Sequence, residues 1–180
     1  MRVTCAVLLS IVAVSGGETY FPNHVVRSHS GERLRFYQDL IADKTVVFHS
    51  FFAHCNGACP IMLGKMKALQ QSLGDRLGQS VVLISMTVDP ESDTPERLAE
   101  LALGLGAKPG WHLVSGRKEN IDWILYKLGQ TVEKPEEHKT IFIIGNDKTG
   151  NWTKLPAAAN AAELEAAVNA VALAGRQESK

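Results

Sequence analysis

Residues 45–60, TVVFHSFFAHCNGACP, constrain the fold of this chain more than any other segment. Residues 45–52 are β-branched and aromatic without polar alternation, the pattern of a strand buried on both faces. The run leads almost directly into Cys55 and Cys59 and then into Pro60, where a helix opens. Proline suits a first helical position because its missing N–H would have no partner there. Met62, Met66, Leu69 and Leu73 follow at helical spacing, and Gly74 supplies the stop. A doubly buried strand needs helices above and below it, and a strand handing over to a helix begins a parallel crossover unit.

Later segments repeat that unit. Residues 81–88 (VVLISMTV) read as a second buried strand, closed by Asp89-Pro90. Thr94 caps a helix with Pro95 in its first turn. A short strand over 111–114 and a helix over 120–128 follow. Residues 140–144 (TIFII) and 152–155 read as strands joined by a short turn, which requires antiparallel pairing. Asn160 caps a final Ala-rich helix, with Glu163 in capping-box position. Upstream, Val25-Val26 and Leu34 with Phe36 flank the turn Ser30-Gly31-Glu32, which predicts a β-hairpin. The pattern is α/β: a thioredoxin-like three-layer sandwich with a mixed central sheet and an N-terminal β-hairpin. There is no internal repeat, low-complexity tract or interdomain linker.

The first residues predict a destination. Met1-Arg2 is a positive start, residues 5–14 (CAVLLSIVAV) are apolar, and Ser15-Gly16-Gly17 are small. That order matches a secretory signal, and the run falls short of the ~20 apolar residues of a comfortable membrane span. Residues 1–17 are therefore read as a signal peptide or short membrane anchor, with a buried first strand as the competing reading. Residues 18–175 form the domain and 176–180 a C-terminal tail, in an exported, periplasmic protein that is soluble or tethered to the inner membrane. The formal net charge of zero, with no basic block, makes nucleic acid and anionic membranes poor partners. Nothing in the sequence calls for an oligomer, and a monomer is expected.

Loss of the leader removes Cys5 and leaves Cys55 and Cys59 as an isolated pair. So close a pair would staple almost no chain, so a purely structural disulfide would contribute little loop-closure entropy. The end of a parallel strand just before a helix is where α/β proteins place functional groups, and the helix N-terminus favours thiolate over thiol. Pro60 disfavours helical geometry at Cys59, which predicts a loop that can turn both sulfurs toward one point. The pair reads as a metal or redox site, and two inert thiols is the bland alternative. Two thiolates suit Cu(I), Zn(II) or iron–sulfur chemistry, and a third ligand must come from elsewhere in the chain.

Histidine is the commonest candidate. His49 lies six residues before Cys55, about 20 Å along an extended strand, and reads as a hydrogen-bonded core residue. His24 and His29 flank the hairpin and read as solvated, and His112 has no cysteine near it in sequence. His54 adjoins Cys55, but its side chain should point away from its neighbour's. His138 precedes the strand TIFII and on its own reads as a surface residue. Asp89 is either a hydrogen-bond acceptor behind the site or a residue shaping the turn before Pro90. Met62 and Met66 read first as core.

Three separated blocks resemble the Sco/SenC family of copper chaperones: His54-Cys55-Asn56-Gly57-Ala58-Cys59-Pro60 after a hydrophobic strand, Val88-Asp89-Pro90-Glu91-Ser92-Asp93-Thr94-Pro95-Glu96, and a histidine heading a late strand, His138. The resemblance implies a thioredoxin-like fold and copper held by Cys55, Cys59 and His138. It also implies delivery to an exported copper protein such as the dinuclear copper site of cytochrome c oxidase. Some members are thought to act instead as thiol–disulfide reductants of that site's cysteines, for which Cys55 and Cys59 would be the redox-active pair. Here Cys-Asn-Gly-Ala-Cys replaces the commoner Cys-Pro-Asp-Val-Cys, which loosens the loop at Gly57. A peroxidase-like activity needs an arginine beside the reactive cysteine, and none is evident next to Cys55.

Overall fold

A computed structural model describes residues 20–55 and 57–173. The expectations for residues 1–17 and 176–180 lie outside the described residues. Seven strands form one sheet in the order β2-β1-β5-β4-β3-β6-β7. They are β1 Val25–Ser28, β2 Arg33–Arg35, β3 Thr45–Phe51, β4 Val81–Thr87, β5 Trp111–Ser115, β6 Ile141–Asn146 and β7 Asn151–Pro156. The helices are α1 Cys59–Leu73, α2 Pro95–Leu105, α3 Lys118–Lys127 and α4 Ala161–Leu173. β3, β4 and β5 run parallel, whereas β1 against β5, β6 against β3 and β7 against β6 are antiparallel. This is the expected mixed sheet, with the expected hairpin of β1 and β2 at one edge.

Alternation along the central strands builds two cores. Val47 and Phe51 of β3 face Met62, Met66 and Leu69 of α1, Leu98 of α2 and Leu164 and Val168 of α4. Val46 and Phe48 face the opposite side, against Ile121, Ile124 and Leu125 of α3. Every residue of β3 and β4 is buried, as expected for strands covered on both faces. Each fully buried large apolar side chain contributes about 1.5–3 kcal/mol, so the two layers give a rigid platform for whatever sits at the sheet's edge. Met62 and Met66 are core, fully buried in the first layer.

Two predicted helix starts hold in detail. Thr94 accepts the Arg97 N–H, and Asn160 and Glu163 exchange reciprocal hydrogen bonds of 2.7 and 3.0 Å. A π-helical turn over Phe36–Ile41, not expected from the sequence pattern, buries Phe36, Tyr37, Leu40 and Ile41 in the second core. Helix α3 starts at Lys118, two residues before its expected start.

Register fixes where the functional segments meet. Phe51 pairs with Thr87 at the C-terminal ends of β3 and β4, so the Cys55 loop leaves at that edge. β6 runs the other way, with Ile143 opposite Phe48. The residues just before β6 therefore arrive at the same edge.

Candidate metal centre

The loop after β3 returns sharply on itself: the Cys55 N–H donates to the Phe52 carbonyl. Helix α1 then starts at Cys59, one residue before the position expected from Pro60, so Cys59 is itself helical. Pro60 takes the second position, where its missing N–H is equally harmless. No side chain of the cap residue Ala58 bonds the free N–H groups of this helix. The Cys55 sulfur takes that place, with hydrogen bonds from the backbone N–H of Cys59, Gly57 and Ala58. A sulfur held at a helix N-terminus by backbone donors is stabilised as thiolate.

The two sulfurs differ accordingly. Burial pushes the Cys55 thiol up, but the hydrogen bonds from the Cys59 side chain and the three backbone groups outweigh it, and the net direction is below the ordinary thiol range. Burial, and the hydrogen bond to Cys55, push Cys59 up to about 12. Cys55 is half-buried and Cys59 is buried, and both are free thiols. The expectation of a thiolate at the head of the helix therefore applies to Cys55 alone.

His138 completes the group. A 3-10 turn over Pro135–Glu137 delivers it to the edge where β6 begins. Its Nδ1 lies 2.9 Å from the Pro135 carbonyl, which accepts only from an N–H, so the proton sits on Nδ1. Nε2 is left with a lone pair and lies 3.3 Å from Cys59 Sγ. Burial holds His138 below the usual histidine range, against the opposing pull of the Pro135 carbonyl, and keeps the ring neutral. The Phe52 ring meets the imidazole edge-on at 5.5 Å and fixes its plane. Only 8 % of His138 is exposed, which corrects the reading of a surface histidine.

The donor atoms of Cys55, Cys59 and His138 all lie within 4.8 Å of one another. Among the described residues they are the one group of three or more such side chains so arranged. Two sulfurs and an imidazole suit soft or borderline ions, copper and zinc among them, and the carbonyl behind the imidazole holds the ring in the ligating tautomer. A shallow groove of about 180 Å³, lined by Phe52, Pro60, Leu63, Leu101 and Leu105, opens beside the two sulfurs.

The other histidines go elsewhere. His49 is fully buried, with Nε2 2.7 Å from Ser85 Oγ and Nδ1 3.2 Å from the Ser50 carbonyl, as expected of a core residue. His54 is exposed, and its Nδ1 accepts from Arg97 at 3.3 Å. An arginine therefore does reach the cysteine loop, from α2, but its guanidinium bonds the neighbouring histidine. His29 was expected to be solvated; instead it is half-buried and its Nδ1 accepts the Leu113 N–H at 3.2 Å. His24 and His112 are also half-buried.

The carboxylate behind the site is Asp93. Asp89 accepts the Ser92 N–H at 3.3 Å and shapes its turn. Asp93 is 1 % exposed, accepts the Thr87 hydroxyl at 2.5 Å and accepts the Ala53 N–H at 3.0 Å. It ties the end of β4 to the first residues of the cysteine loop. The sequence signal was present, since Asp93 lies in the 88–96 block, but nothing local showed that it points inward.

The sequence profile of the SCO1/SenC family matches residues 21–173. No match was found among curated proteins. Three solved structures show the same fold. A SCO1/SenC family lipoprotein from Bacillus anthracis str. Ames is 22 % identical with a TM-score of 0.70, over 84 % of this chain and 94 % of that one. Arabidopsis thaliana ScoI with copper bound is 20 % identical with a TM-score of 0.66, over 85 % and 96 %. BsSco, described with a disulfide switch and as one of the cytochrome c oxidase assembly proteins of the Sco family, is 20 % identical with a TM-score of 0.69, over 88 % and 95 %.

Proposed function

Because the chain belongs to the SCO1/SenC family, we propose that it binds one copper ion through Cys55, Cys59 and His138 and passes it to a copper protein outside the cytoplasm. The observation that carries this reading is the convergence of the three donor atoms within 4.8 Å. The copper-bound Arabidopsis relative supports the choice of metal. Cys55 offers a sulfur already biased toward thiolate, Cys59 gives up its proton when the ion binds, and Nε2 of His138 supplies a lone pair already aimed inward. Low coordination at a rim leaves a side open to an incoming ligand, and copper leaves as the client's donors replace these three.

The proposed client is an exported copper protein, with the dinuclear copper centre of cytochrome c oxidase as the leading candidate. The description of BsSco as an oxidase assembly protein supports it. The proposed location follows from residues 1–17, read as signal or anchor. Among the described residues, no helix is long and apolar enough to cross a membrane.

The opposed shifts of the two thiols favour a second reading, reduction of the client's cysteines. Cys55 thiolate attacks a client disulfide and releases one client thiolate. Cys59 then loses its proton and attacks the Cys55 sulfur, releasing the second. The client gains two electrons and the protein is left with a Cys55–Cys59 disulfide.

An anaerobic Cu(I) titration by chelator competition, beside Cys55→Ser, Cys59→Ser and His138→Ala, separates the two. One tight equivalent weakened in every variant supports copper binding. No retained copper, with rapid disulfide exchange intact, would leave the reductase reading alone.

A further inference from the structure

A second cavity, of about 840 Å³, opens where β1, β2, α2 and α3 meet, and its lining carries more positive than negative charge. Arg27, Arg33 and Arg117 line it, against the single carboxylate of Glu96. Arg27 and Arg33 are direct cross-strand partners in the β1–β2 hairpin, an arrangement in which like charges repel. Among the described residues, ion pairs join Arg35 to Asp39, Arg76 to Glu165 and Lys118 to Asp122, and none involves the three arginines of the cavity. Arg35, next along the same face as Arg33, shows the contrast: Asp39 grips its guanidinium at 2.9 and 3.2 Å.

Backbone donors point the same way. Thr94 caps α2, but the cap residue of α3, Arg117, makes no side-chain cap bond, so the ten-residue α3 opens with its first N–H groups lacking a side-chain acceptor. The wall is fixed in place: buried Asn120 donates through Nδ2 to the Val25 carbonyl at 2.9 Å and locks the start of α3 to β1. Three exposed guanidinium forks against one carboxylate, Glu96, which already feels the Arg27 charge, together with a helix start that no side chain caps, suit oxyanions taken two-pronged. The volume far exceeds that of one such group.

We propose that this cavity binds a small organic polyanion carrying two or more carboxylate or phosphate groups. Arg27 and Arg33 grip one group, and Arg117 with the α3 N-terminus grips another. The site is separate from the three metal donors and does not depend on the copper reading.

Calorimetric titration of the full chain with citrate and with pyrophosphate, at ionic strength matched with sodium chloride, tests it. The two arms distinguish carboxylate from phosphate recognition. The expected result is one saturable site for at least one anion, with amide NMR shifts centred on Glu96, Gly116, Arg117 and Lys118. Affinity should fall at least tenfold in Arg27→Gln/Arg33→Gln and in Arg117→Gln, and remain unchanged in Lys148→Gln at the other end of the sheet. No saturable heat from either anion, or equal affinity in the arginine variants, would overturn the proposal.

Discussion

His49 and His138 are both buried, both held below the usual histidine range by desolvation, and both tied to a backbone carbonyl through one ring nitrogen. They differ in what the second nitrogen meets. In His49 it meets Ser85 Oγ, which also accepts from the Trp111 indole, and the polar cluster closes on itself in mid-sheet. In His138 it meets the Cys59 sulfur at the sheet's edge, where a second sulfur lies within reach. Burial and a depressed pKa alone therefore do not make a ligand. What sets His138 apart is a second nitrogen that faces soft donors at the rim of the sheet.

The largest effect that tests this contrast is acid sensitivity. Burial pushes His49 down to about 3 from 6.5. The unfolded chain therefore binds a proton below pH 6.5 that the folded chain refuses, so stability present above that pH is lost as pH falls toward 3. The full span corresponds to about 5 kcal/mol. Denaturant unfolding of the apoprotein between pH 7 and 4 should show this slope, and His49→Gln should flatten it. An unchanged slope in the variant would place the titrating group elsewhere.

Removing each ring should then separate fold from site. His49→Ala is expected to cost about 3 kcal/mol of stability, from the cavity and the broken polar cluster, with copper stoichiometry intact. His138→Ala is expected to weaken copper binding by at least about a hundredfold, more than the usual loss of a supporting residue, with a smaller loss of stability than His49→Ala because the ring sits at the sheet's rim. The reverse outcome, copper lost with His49 and fold lost with His138, would break the comparison.

Asp93→Asn should fall between the two. It weakens the tie from Thr87 to Ala53, and is expected to lower stability by about 1–3 kcal/mol and copper affinity by about tenfold. Chelator competition beside thermal melting reads both. The smallest effect belongs to the frame alone: Thr94→Ala removes the α2 cap and should cost about 1 kcal/mol with copper affinity unchanged.

The same contrast marks how far the sequence could be read. β3, β4 and the start of α1 were legible because doubly buried strands, helical spacing and Pro60 are local signals. Cys55 and Cys59 were legible for the same reason, since their place at a strand-to-helix junction is encoded within a few residues. His138 was not readable from its own surroundings, because a histidine after a polar run is ordinarily exposed. Only the resemblance singled it out, and the antiparallel register of β6 is what carries it to the sulfurs. Asp93 and Arg97 reach the cysteine loop through long-range packing of α2, about forty residues away, which no local pattern reports. The π-helical turn at Phe36–Ile41 escaped because its buried pairs fit neither a strand nor an ordinary helix.

The three-donor site is tested most directly by X-ray absorption spectroscopy of the copper-loaded protein, wild type beside His138→Ala. Two sulfurs and one imidazole nitrogen are expected around copper in the wild type, with the nitrogen alone missing in the variant. A sulfur-only shell in the wild type, or an unchanged nitrogen contribution in His138→Ala, would contradict that site.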